Sequence, residues 1–376
     1  MSTALTTPRS TDPSSGGSYQ RHRRAIGYWL LLLCGMTFGM VVLGGLTRLT
    51  HSGLSMTDWS LTGSMPPLTA DAWLAEFERY QAFPEYQKVN QGMSLAAFKS
   101  IFWFEYSHRM LGRTIGTAFL LPFLFFLARR AIPRALAPKL LLLFVLGGMQ
   151  GLIGWWMVRS GLVDRPDVSH YRLTTHLGSA FVLYAALLWV ALSQLREVGG
   201  RVPRDRPLAR LMAGVTAAVF LTVLSGGLVA GLNAGFSYNT FPLMGGQVVP
   251  PGYLALQPWW SNLTENPVSV QFHHRVLAMA TFAVVVGTWL WSRRRPMAAD
   301  SRRAMAALMG AALLQVALGI TTLLTVVWLP VASLHQAGAL LLLSASIWAA
   351  HTLWRPVRAS ETSGASSVTI SATPSP

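Results

Sequence analysis

The chain is short of charged residues, above all acidic ones, and of cysteine. Only 12% of its 376 residues are charged, against about 25% in a typical soluble protein. Its 14 Asp and Glu are outnumbered by 30 Lys and Arg, which gives a net charge of +16. Cys34 is the only cysteine, so by itself it cannot build an internal disulfide, a CxxC pair or a thiolate metal site. Its position in an apolar run indicates a small buried side chain.

The chain is instead rich in long apolar runs. Hydrophobic residues make up 52% of it, the mean hydropathy is +0.41, and many runs approach the ~20 residues that cross a bilayer. We predict an all-α membrane protein with eight transmembrane helices. The predicted spans are 26–46, 105–128, 138–158, 171–193, 208–231, 272–292, 303–328 and 331–353.

Arg and Lys cluster in alternate loops between these runs. The basic segments are 21–24, 129–139, 196–210, 292–303 and 354–358. By the positive-inside rule this side is cytoplasmic, or the mitochondrial matrix, and both termini lie there. The positive charge therefore indicates membrane topology and not a nucleic-acid surface. We predict a multi-pass protein of a bacterial inner membrane, with the mitochondrial inner membrane as the alternative.

The composition also divides the chain. Segments 1–24 and 357–376 are rich in Ser, Thr, Pro and Gly, which predicts disordered tails. Between them we predict an N-terminal four-helix half at 25–195 and a C-terminal half at 196–356. In the outer loop, residues 71–86 (DAWLAEFERYQAFPEY) form either a short amphipathic helix on the membrane surface or an ordinary packed loop.

Motifs recur in the same order in spans 1–4 and 5–8, which indicates an internal duplication. The matched segments are GGLTRLTHSGLS with GGLVAGLNAGFS, EYSHR with QFHHR, GGMQGLIG with LLQVALGI, and RLTTHLGSAF with VASLHQAGAL. We predict two four-helix bundles related by a pseudo-twofold axis. Each half has an even number of spans and keeps its orientation, so the axis should run along the membrane normal.

Four of the nine histidines lie near the outer ends of the second, fourth, sixth and eighth spans: His108, His176, His274 and His335. Ionisable side chains inside a membrane are costly and are functional candidates. One alone could be a helix–helix hydrogen bond, but two at matching depth in each half indicate a shared role.

The histidine pattern limits which metal or cofactor these side chains could bind. Zinc normally takes four ligands or an acidic partner, and copper favours Met or Cys beside His. A haem held between helices needs only one axial His from each side. The four histidines therefore favour two haem sites, one in each half.

The two sites differ in charge. Glu105 lies three residues before His108, on the same helical face, whereas the neutral Gln271 holds the matching position in the other half. Arg113 likewise matches Met279. A carboxylate and an extra cation suit a site of chemistry, and a neutral site suits a resident haem that passes electrons.

Two alternatives stay open for these charged residues. Glu105 could simply lie at a helix N-terminus and interact with its dipole. Arg109 and Arg275 could pair with haem propionates or anchor the helices at the membrane interface.

Four motifs resemble the haem A synthase family, in particular its mitochondrial and proteobacterial type. They are GGLTRLTHSGLSMTDW at 44–59, EYSHRMLGR at 105–113, GLNAGFSYNTFPLM at 231–244 and QFHHR at 271–275. The similarity extends over about 26–354. It implies an eight-helix duplicated fold and oxidation of the C8 methyl of haem O to a formyl group, giving haem A for cytochrome oxidase.

The resemblance also implies roles for individual residues. In the C-terminal half, His274 and His335 would be axial ligands of a retained haem b, and in the N-terminal half His108 and His176 would flank the substrate haem. From the charge pattern we add Arg109 and Arg113 to the predicted substrate-haem site and Arg275 to the predicted haem b site.

Glu105 matches the carboxylate that the family places beside the reacting ring. It would stabilise a developing carbocation, or position water and accept a proton, while a redox-active iron supplies the oxidising power. Oxygen rebound and electron withdrawal followed by water attack both stay open. His273 stands where relatives usually have Asp or Asn. The paired outer-loop cysteines of the Gram-positive type are absent, which excludes a redox cycle through such a pair.

The implied partners are haem O, an external electron donor, haem O synthase and cytochrome oxidase assembly proteins, in a lipid membrane and without nucleic acid. Glycine-rich stretches such as GGMQG also permit a homo-oligomer. The alternatives are a di-haem b electron-transfer cytochrome, whose haems usually lie near both membrane faces, and a non-catalytic haem transporter or scaffold.

Overall fold

The protein is almost entirely helical in the residues that the computed structural model describes, which are 13–56, 63, 65–161, 167–196 and 205–354. The α-helices in these ranges are α1 Pro13–Leu49, α2 Ala70–Gln81, α3 Pro84–Lys88, α4 Leu95–Ala128, α5 Ala137–Val158, α6 His170–Leu195, α7 Arg206–Gly231, α8 Pro267–Ser292, α9 Ala299–Leu324 and α10 Leu329–Trp354. Eight of these, all but α2 and α3, are long and apolar enough to cross a membrane. This confirms the predicted all-α membrane fold with eight spans.

Helix α4 begins at Leu95, earlier than the predicted start at 105. The hydroxyl of Ser94 caps it by accepting a hydrogen bond from the Ala97 amide at 3.2 Å. Glu105 is therefore about three turns inside the helix, and the alternative that it lies at a helix N-terminus is wrong. Residues 95–104 are themselves mostly apolar and belong to the same candidate membrane span as the rest of the helix.

The helices pack in the same way in both halves. In the first half α1 and α5 each contact α4 and α6, and in the second α7 and α9 each contact α8 and α10. Between the halves α6 meets α7, α10 meets α1, and α6 meets α10. If each helix of the first half is replaced by its counterpart in the second, and the reverse, the same helix contacts result. A pseudo-twofold axis requires this symmetry of contacts, but the axis itself stays a prediction.

The loops after α1 and α7 also correspond. His51 and Asn233 hold matched positions, and both have a positive φ, 51° and 53°, which is uncommon outside glycine. Arg48, at the end of α1, donates to the Ala230 carbonyl at 3.2 Å and to Asn233 Oδ1 at 3.0 Å. The two loops are therefore joined directly to each other.

The prediction of a disordered tail over 1–24 is wrong in part, because α1 already begins at Pro13. Tyr19 Oη donates to Gln194 Oε1 at 2.8 Å, and Arg23 donates to the Arg196 carbonyl at 2.5 Å. These contacts are polar, so hydropathy gave no sign of them. Residues 1–12 and the predicted tail at 357–376 lie outside the described residues, and the domain boundaries stay predictions.

Helices α2 and α3 cover the start of α4, at what we call the outer end of the bundle. Tyr80 of α2 stacks on Phe98 of α4 with ring centroids 5.1 Å apart, and Trp73 meets Phe102 edge-on at 5.0 Å. Of the two alternatives left open for 71–86, the structure has the helix, in two pieces, and its aromatic face packs on α4. Whether it also lies on the membrane surface stays a prediction.

A buried carboxyl group sits inside this outer layer. Glu85 is 3% exposed, and its Oε2 accepts a hydrogen bond from Tyr80 Oη at 3.0 Å. Asn90 Nδ2 in turn donates to Tyr80 Oη at 2.7 Å. Burial raises the pKa of Glu85 to about 7, the Tyr80 hydrogen bond opposes this rise, and the nearby carboxylates of Asp167 and Glu105 add to it.

We predict that the outer layer loosens as the pH rises. Because the pKa of Glu85 is raised in the folded state, its contribution to stability is full below the ordinary carboxyl value of about 4.3. That contribution is lost as the pH rises through about 7. Hydrogen exchange of amides in 70–90, corrected for the intrinsic rate, should be faster at pH 8 than at pH 6. Glu85→Gln should remove this dependence, and a Gln variant that keeps it would contradict the assignment.

Candidate active site

The four histidines identified in the sequence form two pairs, one in each half. His108 of α4 and His176 of α6 come from two helices that both pack against α1 and α5, and His274 of α8 and His335 of α10 from two that both pack against α7 and α9. In the described part of the chain, no three His, Cys, Asp or Glu side chains come together to hold a metal ion. Each half therefore offers a pair of imidazoles and not a larger ligand cluster.

Each of these imidazoles packs against a glycine of a neighbouring helix. A Cβ atom added to any of these glycines would lie 2.9–3.2 Å from the nearest ring atom. The contacts are Gly44 with His108, Gly154 with His176, Gly226 with His274, and Gly319 with His335. Sequence reasoning missed this role, although Gly44 and Gly154 match Gly226 and Gly319 in the duplication. Such a close approach needs glycine, because a larger residue would clash with the ring.

Polar neighbours hold the rings in the second half. Ser225 Oγ lies 2.7 Å from His274 Nδ1 and donates its own proton to the Thr222 carbonyl. Nδ1–H of His274 therefore donates to Ser225, which leaves Nε2 with a free lone pair for a metal. Gln315 Nε2 lies 3.2 Å from His335 Nδ1 and donates to the His335 carbonyl at 3.1 Å.

The first half holds His176 less firmly. Its Nδ1 is buried and has no hydrogen-bond partner among the described residues. The counterpart of Gln315 is Gln150, which instead accepts a long hydrogen bond, 3.5 Å, from Ser179 Oγ. The matched glutamine therefore contacts a different group in each half.

Glu105 is ion-paired inside the first half. Its Oε1 accepts from Arg109 Nε at 2.5 Å, and the two side chains are 5% and 12% exposed. Arg109 also donates to the Met56 carbonyl at 2.9 Å. The carboxylate thus lies one turn from His108, and Arg109 links it to the loop after α1.

The matching residues of the second half make neutral contacts. Arg275 donates to the carbonyls of Tyr238 and Thr240 at 2.6 and 2.7 Å, and Gln271 Nε2 donates to the Tyr238 carbonyl at 3.0 Å. Tyr238 is the counterpart of Met56, so both arginines bind the same loop position. Arg275 Nε and Gln271 Oε1 are buried and have no partner among the described residues. These two atoms leave room for a polar group of a ligand.

The remaining candidates lie beside these pairs. Arg113 follows Arg109 by one turn of α4, and its guanidinium packs against Gly63, whose φ is +90°. His273 does not join the pair beside it, because its Nε2 lies 3.3 Å from Tyr253 Oη in the outer loop.

These features can be compared with known families. The family model described as "Cytochrome oxidase assembly protein" matches residues 27–347, which is most of the chain. The chain belongs to this family.

Several members of this family are close relatives along nearly their whole length. A protein of Nitrosospira multiformis named "Heme A synthase" is 50% identical over 336 residues, 89% of this chain and 94% of the relative. One of Rhodospirillum centenum with the same name is 51% identical, over 89% of each chain. "Heme A synthase COX15" of Mus musculus is 46% identical, over 88% of this chain and 83% of the relative. The resemblance drawn from the motifs is confirmed.

We predict that Arg109 and Arg275 contribute different amounts to the free energy of unfolding. Arg109→Ala would leave the Glu105 carboxylate buried without its ion-pair partner, which should cost about 3 kcal/mol or more. Arg275→Ala leaves no buried charge, because Gln271 is neutral, and should cost about 1–2 kcal/mol. Unfolding in detergent by heat or denaturant measures both.

The double variant Glu105→Gln/Arg109→Ala is the control for this comparison. It removes the uncompensated charge and should regain part of the loss. Equal losses for the two arginine variants, with no recovery in the double variant, would show that the ion pair is not the cause.

Proposed function

We propose that this chain is a haem A synthase, which oxidises the C8 methyl of haem O to a formyl group and so makes haem A for cytochrome oxidase. The observation that carries the proposal is the buried Glu105–Arg109 pair one turn from His108, which the second half lacks. Two relatives named "Heme A synthase", 50% and 51% identical to this chain over most of its length, support it.

The first half would bind haem O between His108 and His176. Gly44 and Gly154 let α1 and α5 pack directly against these two rings. The unpartnered Nδ1 of His176 leaves that ring less fixed than His274, which suits a substrate that enters and leaves. Arg109 and Arg113 lie on the same helix as His108, and their positive charges would pair with the propionates of haem O.

Glu105 would then act on the methyl group. Its carboxylate is shielded from water and held by Arg109, so it need not reorganise when positive charge develops on the reacting carbon. It can stabilise that charge, or orient a water molecule and accept its proton. Gln271 can do neither, and we therefore assign the reaction to the first half.

The second half would hold haem b between His274 and His335. Ser225 leaves Nε2 of His274 available as an axial ligand, and Gln315 orients His335. The orphaned Nε of Arg275 suits a propionate oxygen. Bound there, haem b supplies a one-electron redox centre.

The two other functions fit less well. A di-haem b carrier or a haem transporter gives no use to a carboxylate buried in one half alone. The multi-pass chain would lie in a bacterial inner membrane with both termini in the cytoplasm. It would receive electrons from an external donor, and haem O synthase and oxidase assembly proteins would be its neighbours.

We predict that Glu105→Gln, which gives the first half the residue of the second, lowers haem A formation by about 10²–10⁴-fold. Haem extracted from cells that make haem O and carry the variant should be haem O or a hydroxylated intermediate, as measured by chromatography. Glu78→Gln is the matched control, because it removes an exposed carboxylate of α2 and should leave the yield unchanged. An unchanged yield for Glu105→Gln would sink its catalytic role.

We predict that His274→Ala or His335→Ala abolishes the stable haem b spectrum of the purified protein, because an axial ligand is lost. His273→Ala should keep it, since that ring faces Tyr253 in the outer loop. Absorbance spectra and pyridine-haemochrome assays of monodisperse protein measure this. A ligand variant with an undiminished spectrum would refute the assignment.

A further inference from the structure

The first half contains an open space on the inner side of its histidine pair. On α4, Gly112 and Gly116 follow His108 by one and two turns on the same helical face. A Cβ added to Gly116 would meet no heavy atom within 4 Å, and one added to Gly112 would meet only the terminal methyl of Met40, at 3.3 Å, which is the far end of a flexible side chain. The helix runs away from the outer end here, so this face extends about 12 Å from His108 toward the middle of the membrane.

Helix α5 also carries glycines with open space beside them. Gly147 and Gly151 lie on the helical face of Gly154, which packs against His176. Both have nothing within 4 Å of an added Cβ. The buried residues of α5 are Leu140 and Leu143, near its inner end, so the helix stands apart from its neighbours at the level of these glycines.

Side chains fill the corresponding space in the second half. The counterparts of these four glycines are Ala278, Phe282, Ala312 and Val316. Ala312 is 2% exposed and Phe282 packs against the main hydrophobic core. The duplication therefore keeps the histidines and their glycine contacts, but only the first half stays open below them.

We propose that this glycine-lined space receives the long isoprenoid substituent of haem O, and that the bulkier residues of the second half exclude it. The proposal rests on the proposed function and deepens it. Haem b carries a small vinyl group where haem O carries a hydroxyalkyl isoprenoid chain, so only haem O needs such a space. The buried, unpartnered Nδ1 of His176 independently indicates a ligand at the outer end of the same space.

The test is to give the first half the residues of the second, in the double variant Gly116→Phe/Gly151→Val. The purified protein, with haem b retained in its second half, is titrated with ferric haem O and separately with ferric protohaem, followed by difference absorbance. We expect the affinity for haem O to fall by about tenfold or more, while protohaem binds as in the parent. Haem b of the second half reports that the variant is folded.

Gly148→Leu is the matched control. Its counterpart Leu313 is 52% exposed and Gly148 has open space around it, so this leucine should point outward and leave both affinities unchanged. Parental haem O affinity in the double variant would overturn the proposal, as expected if the space holds only lipid chains. An equal loss for both haems would also overturn it, since a general distortion does not discriminate.

Failure here is distinguishable from failure of the proposed function. The titration measures binding without turnover, whereas Glu105→Gln measures the reaction. Parental haem O binding in the double variant, together with loss of haem A in Glu105→Gln, would refute the tail site and leave the enzyme assignment standing.

Discussion

The close contact between an imidazole ring and a glycine backbone sets the spacing of the helices that carry the two sites. In a bilayer no water is present to solvate a polar ring, so each ring must be held by protein or by a ligand. At the four contact positions an added Cβ would lie about 3 Å from the ring, so glycine lets the neighbouring helix come closer to the ring than any other residue could. The loop contacts and the neighbouring charges are arranged around the two histidines of each half.

The same framework carries two different electrostatic environments. Arg109 and Arg275 each bind the carbonyl of a matched loop residue, Met56 or Tyr238, so the duplication preserves this contact. Only the first half adds a carboxylate to it. Burying Glu105 is costly, and Arg109 offsets that cost at the point where the carboxylate can face a substrate. The second half avoids the cost with an amide, as expected for the proposed haem b site, which needs no proton chemistry.

The halves meet through residues next to the four histidines. Gln336, which follows His335, donates to the Val41 carbonyl at 2.9 Å and packs against Gly45, which follows the Gly44 that contacts His108. The matched contact brings Leu177, which follows His176, against Gly227. The interface between the halves therefore joins the two histidine pairs by continuous packing, and a change in the position of α1 or α10 would alter both sites together.

Hydropathy, basic loops and repeated motifs were sufficient to predict eight helices, the duplicated order and the four histidines, because these depend on bilayer thickness and on local sequence alone. The contrast between Glu105 and Gln271 was also visible there. The tertiary structure decided what depends on distance: the early start of α4 under its aromatic layer, the Glu105–Arg109 ion pair and the polar contacts of the first helix. It also showed which glycines contact rings and which border open space. The sequence alone cannot distinguish a glycine that contacts a ring from one beside open space, because the neighbouring helix determines what lies against its backbone.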